Sequence, residues 1–167
     1  MRDKLLDTAC VAIFEKAMGY ELSHFHVYKE LANAMQSVGF FGAQAYFLAE
    51  SDEEVTHYQK HVDFLNDMGI LGKTPAIKPQ GEYPKSLKDA LKVAYDNEKD
   101  LLDFYKEFYK KEGTEYPEIA QHLLFFIQVQ REHVGFYADM INRLEVAGST
   151  GAGAILIDKE LKKLANG

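Results

Sequence analysis

The stretch Glu53-Glu54-Val55-Thr56-His57 decides how the rest of the chain is read. Glu54 and His57 are three residues apart, so on a helix they share one face. They lie in a long helical pattern. Its inward seam, taken every third then fourth residue, runs Phe47, Glu50, Glu54, His57, His61, Phe64, Met68. That seam puts carboxylates and imidazoles where apolar side chains belong. Burying an unpaired carboxylate is expensive, so the seam needs a metal, a partner charge or water.

Working outward, a helix from about Asp3 to Ser37 precedes this one, with seam Cys10, Phe14, Ala17, Glu21, His24, Tyr28, Leu31, Met35. The turn Val38-Gly39-Phe40-Phe41-Gly42 joins it to the second helix, predicted over about 42–68, and makes the two antiparallel neighbours. Residues 70–85 hold three of the four prolines and read as an extended crossover. That length spans a bundle, so the third helix can run parallel to the second. Ser86 with Asp89 opens the third helix, which Gly113 ends. Its seam is Leu87, Leu91, Ala94, Glu98, Leu101, Tyr105, Phe108. Pro117 suits the first turn of a fourth helix reaching about Ala147, with seam Ile119, Leu123, Phe126, Gln130, His133, Tyr137, Met140, Leu144. A glycine-rich hinge over 148–153 and a short helix over 154–164 close the chain. The expectation is an all-α protein. One domain over 1–167 holds a four-helix bundle (about 3–147) with a long crossover between its second and third helices, and a short fifth helix.

The polar breaks in these seams fall near the helix midpoints: Glu21, then Glu54 with His57, then Glu98, then Gln130 with His133. Antiparallel helices of similar length bring their middles to one level, so these side chains share one layer of the core. One polar residue in an apolar seam is unremarkable. Four aligned breaks, all with metal-ligand chemistry, point to a two-metal carboxylate centre. Oxygen and imidazole donors suit Fe, Mn or Zn. The competing account is a buried polar network that sets helix register.

Composition narrows the classes. The net charge of −7 argues against nucleic acid and suits cations, although solubility alone also explains it. The single cysteine, Cys10, excludes an internal disulfide and any cysteine-cluster metal site. No apolar run approaches the roughly 20 residues of a membrane span. Met1-Arg2-Asp3-Lys4 leads into an amphipathic helix instead of a signal segment, so a cytoplasmic location is expected.

With these residues in place the chain resembles the ferritin family, and within it the bacterial non-haem ferritins, over nearly its whole length. Glu21 followed by Tyr28, Glu53-Glu54-x-x-His57, Glu98, Gln130 and the tail Gly151-Ala152-Gly153 through Leu156-Ile157-Asp158-Lys159-Glu160-Leu161 carry the likeness. The resemblance implies a ferroxidase centre of two irons per subunit. Glu21, Glu54 and His57 would hold one iron. Bridging Glu54, Glu98 and nearby Gln130 would hold the second. Such a centre oxidises Fe(II) with dioxygen or peroxide and deposits Fe(III) as a mineral inside a 24-subunit shell. Tyr28 would hydrogen-bond near the centre or supply an electron; a core tyrosine with a satisfied hydroxyl is the plainer reading.

The departures also carry meaning. Glu53 and Glu132 could serve a third iron site, but Val129 and His133 stand where further carboxylates are expected, which weakens or alters it. Gln130-x-x-His133 also resembles the fourth-helix motif of bacterioferritins with glutamine substituted, which would let His133 ligate the second iron. Haem is not expected, because Val55 stands where bacterioferritins have their haem-ligating methionine. His24 is a further imidazole in the first seam; it reads as a core group bonded to a carboxylate or tyrosine ahead of a metal ligand. His61 and Glu50 read either as an access route or outer support for the centre, or as a solvated inner-surface pair. The short fifth helix is too small to fold alone and is expected to pack against symmetry mates. Two other functions stay open: a di-iron oxidase or peroxidase without storage, and a helical bundle that binds nothing.

Overall fold

The computed structural model describes residues 5–78 and 81–167. Five helices follow in order: α1 (Thr8–Ser37), α2 (Phe41–Asp67), α3 (Leu87–Glu112), α4 (Pro117–Ala147) and α5 (Gly151–Ala165). The first begins later than the apolar pattern suggests. Asp7 stays extended, and its side chain accepts from the Cys10 amide at 2.7 Å, which fixes the first turn there. Residues 1–4 lie outside the described part. The capping of α3 follows its sequence: the Ser86 hydroxyl accepts from the Asp89 amide at 3.1 Å.

Helices α1 and α2 pack as one pair and α3 and α4 as another. Between the pairs, the crossover runs along α1. The Lys73 amide donates to Glu15 at 2.8 Å, and Tyr58 on α2 meets Thr74 through their hydroxyls at 2.7 Å. The crossover carries the chain back along the bundle, so α3 runs parallel to α2.

Two apolar clusters fill the bundle. One joins Cys10, Phe14 and Met18 of α1 to Leu65 of α2, Tyr105 and Phe108 of α3, and Ile119 to Phe126 of α4. The other joins Tyr28 to Met35, Ala43 to Phe47, Leu87 to Ala94 and Tyr137 to Leu144. Between them lies a buried polar layer that includes Glu21, His24, Glu54, His57, Glu98 and Gln130.

The last helix starts at Gly151, inside the stretch read as a hinge, and runs to Ala165. A Cβ on Gly153 would come within 2.0 Å of the Ala147 carbonyl oxygen, so a glycine is required where α5 sets off against the end of α4. Gly42 has the same role at the start of α2, where a Cβ would lie 1.9 Å from the Asp158 carbonyl oxygen. That close approach brings the Asp158 carboxylate to the Ala43 amide at 2.7 Å. It caps α2, whose own N-cap, Phe40, offers no side-chain acceptor. Ala154, Ile157 and Leu161 are buried beneath α5, while Ile155, Leu156 and Leu164 face outward. No helix among the described residues is long and apolar enough to cross a membrane.

Candidate metal centre

Each side chain of the polar layer is held at mid-helix by apolar turns above and below it, so its position is fixed by packing on both sides. Two donor groups form there. In the first, Glu21, Glu54 and His57 bring one ligand atom each within 4.8 Å of one another; in the second, His24, Glu54 and Glu98 do so. Glu54 belongs to both. His57 Nδ1 stands 3.2 Å from Glu54 Oε2 and 3.6 Å from Glu21 Oε2. His24 Nδ1 stands 4.0 Å from Glu54 Oε1 and 3.8 Å from Glu98 Oε1. From α4, His133 Nδ1 reaches to 3.6 Å from Glu98 Oε2.

Among the described residues, several buried atoms here have no hydrogen-bond partner: Glu21 Oε2, Glu98 Oε2, His24 Nδ1, His133 Nδ1 and both amide atoms of Gln130. Each such atom costs about 1–3 kcal/mol if left unsatisfied. They surround the two donor groups, and their oxygen and nitrogen chemistry fits a divalent first-row cation.

Electrostatics follow from the crowding. Burial, then the charges of Glu21 and Glu98, push the Glu54 carboxyl well above the usual carboxylate range. Burial also acts to raise Glu21, but the imidazoles of His57 and His61 beside it hold it well below that range. Glu98 is lowered against its own burial by His133 and His24. Burial alone would depress His133; the nearby Glu98 carboxylate and the charge of Glu50 raise it instead, to about 9.

Tyrosines close the layer above and below. Tyr28 donates to Glu98 and Tyr105 donates to Glu21. Because Tyr105 gives its proton to Glu21, it accepts from His61 Nε2 at 2.8 Å; His61 Nδ1 then accepts from His122 Nε2 at 3.0 Å. Both imidazole tautomers are thereby assigned from the network. On the other side Tyr137 donates to Glu50 at 3.4 Å, and Glu50, pushed up to about 7 mainly by burial, stands 4.0 Å from His133 Nε2.

The Ferritin-like domain family matches residues 11–147. The chain belongs to the ferritin family. Among its relatives, a protein of Haemophilus influenzae described as a probable bacterial non-heme ferritin-like protein is 26% identical over 162 residues, 96% of this chain and 98% of that one. A bacterial non-heme ferritin of Escherichia coli is 28% identical over 163 residues, again 96% and 98%. A ferritin of Pacifastacus leniusculus is 30% identical over 155 residues, 89% and 84%. Among solved structures, an open-pore ferritin of Archaeoglobus fulgidus superposes with a TM-score of 0.89, covering 94% of this chain and 98% of that one. At 20% identity that likeness speaks for the fold alone.

In this ferritin, the structure brings Glu21, Glu54, His57, Glu98, Gln130 and His133 into one layer, with Tyr28 bonded to Glu98. Glu53 and Glu132 remain exposed, and Glu132 takes up Gln128 at 3.1 Å. Glu50 and His61 are buried and partnered, which removes the solvated-pair reading. His24 Nδ1 lacks the hydrogen bond expected of a core imidazole. Sequence reading assigned no role to Tyr105 or His122. Tyr105 had a signal, since Glu98 and Tyr105 repeat the seven-residue spacing of Glu21 and Tyr28. His122 sits beside the seam and had none.

Proposed function

We propose that this ferritin takes Fe(II) as substrate, oxidises it at the buried centre and stores Fe(III) as mineral inside a shell of 24 copies in the cytoplasm. The observation that carries the reading is the shared Glu54: two donor groups meet at one carboxylate, in a layer whose other atoms lack partners. Two Fe(II) held there supply two electrons, the number that takes dioxygen to hydrogen peroxide or hydrogen peroxide to water.

The chain's own residues have separate tasks in this reading. Glu21 and His57 bind the first Fe(II), Glu98 with Gln130 and His133 the second, and Glu54 joins them. Burial and the charges of Glu21 and Glu98 favour the protonated form of Glu54, and a cation bound there would favour the ionised one. Carboxylates favour Fe(III) over Fe(II) and shift between bridging and terminal modes, which suits a site that must release its product. Tyr28 and Tyr105 orient Glu98 and Glu21. Tyr28 stays a phenol, because burial and the charges of Glu98, Glu50 and Glu54 raise it well above its ordinary value. Assembly is supported by the outward face of α5, where Ile155, Leu156 and Leu164 join exposed Val146 of α4.

The test is aerobic addition of Fe(II) far above two per chain, followed by size-exclusion chromatography. Soluble Fe(III) eluting with a large shell supports storage. A small assembly that oxidises iron but retains none would make the protein a di-iron oxidase instead. Metal-free protein that takes up no iron at all would leave only a helical bundle.

A further inference from the structure

We propose that His24 is a metal ligand, and that with His133 it makes the second position of the centre a two-imidazole site. The proposal rests on the metal-centre reading above and goes beyond it in assigning the two positions different donor sets and different tasks.

The sequence already sets His24 apart. Glu21-Leu22-Ser23-His24 on α1 has the same Glu-x-x-His spacing as Glu54-Val55-Thr56-His57 on α2. Each pair presents a carboxylate and an imidazole one turn apart on the buried face of its helix. Gln130-x-x-His133 repeats the pattern on α4. Three helices thus deliver an imidazole to one layer.

The geometry says what His24 does there. The residue is 3% exposed, and its Nδ1 has no hydrogen-bond partner. Its separations from Glu98 Oε1 and Glu54 Oε1, 3.8 and 4.0 Å, are too long for hydrogen bonds. They do match donors arrayed around one ion. With metal–ligand bonds of about 2.0–2.2 Å, neighbouring donors stand roughly 3–4 Å apart. His57 Nδ1 stands off Glu54 and Glu21 in the same way, at 3.2 and 3.6 Å. An imidazole placed to neutralise a carboxylate would close on it; His24 holds back from two.

His133 completes the arrangement. Its Nδ1 is also unpartnered and lies 3.6 Å from Glu98 Oε2, so each oxygen of Glu98 has one imidazole facing it. The first position therefore offers two carboxylates and one imidazole, from Glu21, Glu54 and His57. The second offers two carboxylates and two imidazoles, from Glu54, Glu98, His24 and His133. Added imidazole raises affinity for divalent ions of borderline softness and for late first-row metals. The second position is thus expected to hold a divalent ion more tightly than the first.

The test is calorimetric titration of metal-free, full-length protein with Zn(II). The wild type is expected to bind two ions per chain, one more tightly. His24→Phe keeps the ring volume and removes the donor; it should weaken the tighter site by tenfold or more and leave the other unchanged. His57→Phe should do the reverse. Free imidazole added to His24→Gly should restore part of the loss. If His24→Phe titrates like the wild type, His24 is no ligand, although the centre itself stands. If the wild type binds no Zn(II), the centre and this proposal fall together. Should His24→Phe fail to fold, one equivalent of Cu(II) on the wild type decides by electron spin-echo spectroscopy. Modulation from two equatorial imidazoles supports the assignment, and modulation from one overturns it.

Discussion

Glu21 and Glu98 face the middle of the bundle from α1 and α3, and their surroundings are finished in opposite ways. Around Glu21 the protein supplies its own partners: Tyr105 donates to it, His61 supports Tyr105, and His122 supports His61. Aromatic rings hold that chain, with Phe126 stacked on His61 at 4.1 Å and Phe64 on His122 at 4.4 Å. Around Glu98 only Tyr28 is closed onto the carboxylate, and His24, His133 and Gln130 all retain unpartnered buried atoms. Among the described residues, the Glu21 side leaves only Glu21 Oε2 without a partner, whereas the Glu98 side leaves Glu98 Oε2, His24 Nδ1, His133 Nδ1 and both Gln130 amide atoms. The first half is held largely by the polypeptide, and the second offers more donor atoms to an ion.

The largest expected effect comes from removing what the halves share. Glu54→Ala should slow Fe(II) oxidation by about 100-fold or more, read from the rise of Fe(III) absorbance, with helical content by circular dichroism preserved. A rate within a few-fold of wild type would remove Glu54 from the centre and dissolve the comparison.

The next effect separates the halves. Zn(II) at about 100 times its dissociation constant should stabilise the wild type by about 2.7 kcal/mol, several degrees in melting temperature. His133→Ala should lose much of that shift and His61→Phe should keep it. Equal losses in both variants would mean that the halves are not distinct.

A smaller difference concerns the two tyrosines. Tyr105→Phe removes the hydrogen bonds at both Glu21 Oε1 and His61 Nε2, whereas Tyr28→Phe removes one, at Glu98. In metal-free protein, denaturant unfolding should show Tyr105→Phe costing about 1–3 kcal/mol more. Identical costs would show that the His61 chain contributes nothing to holding Glu21.

Near neutrality the smallest effect is one of pH, and it grows only as the solution turns acid. Burial first, then His61 and Lys60, lower His122 to about 3 from its ordinary 6.5. A depressed imidazole contributes stability that is present above 6.5 and is lost as pH falls toward 3, since the unfolded chain takes up the proton first. His122→Phe should flatten this part of the stability–pH curve, and an unchanged slope would place the acid sensitivity elsewhere. His133, raised to about 9, has the opposite sign: its contribution is full below 6.5 and fades as pH rises through 9. Imidazoles in the two halves therefore respond to pH in opposite directions.

Much of the architecture was legible because this chain punctuates its helices locally. Ser86, Gly113 and Pro117 bound α3 and α4 where the sequence places them. The start of α1 was less so, because the apolar pattern runs on past the Asp7 cap. The start of α5 was hidden for a tertiary reason: a glycine run reads as a hinge until the Ala147 carbonyl is known to press against Gly153. In the metal centre, Glu21, Glu54, His57, Glu98, Gln130 and His133 were visible as polar breaks at equal height. The unfilled Nδ1 of His24 was not, since a lone histidine in a seam looks the same whether or not a partner reaches it. The tie between Tyr105 and Glu21 depends on α3 lying beside α1, which spacing within one helix does not reveal.

Asp158 reaches its Ala43 partner across 115 positions of chain. A ribosome therefore finishes α2, with Glu54 and His57 aboard, long before the carboxylate that seals its first turn has been made. Until the tail emerges and folds back, that turn has no side-chain cap. A truncated product released before α5 would keep Glu54 and His57 while leaving the start of their helix without its side-chain cap. The first turn of α2 is thus capped by one of the last residues of the chain to be made.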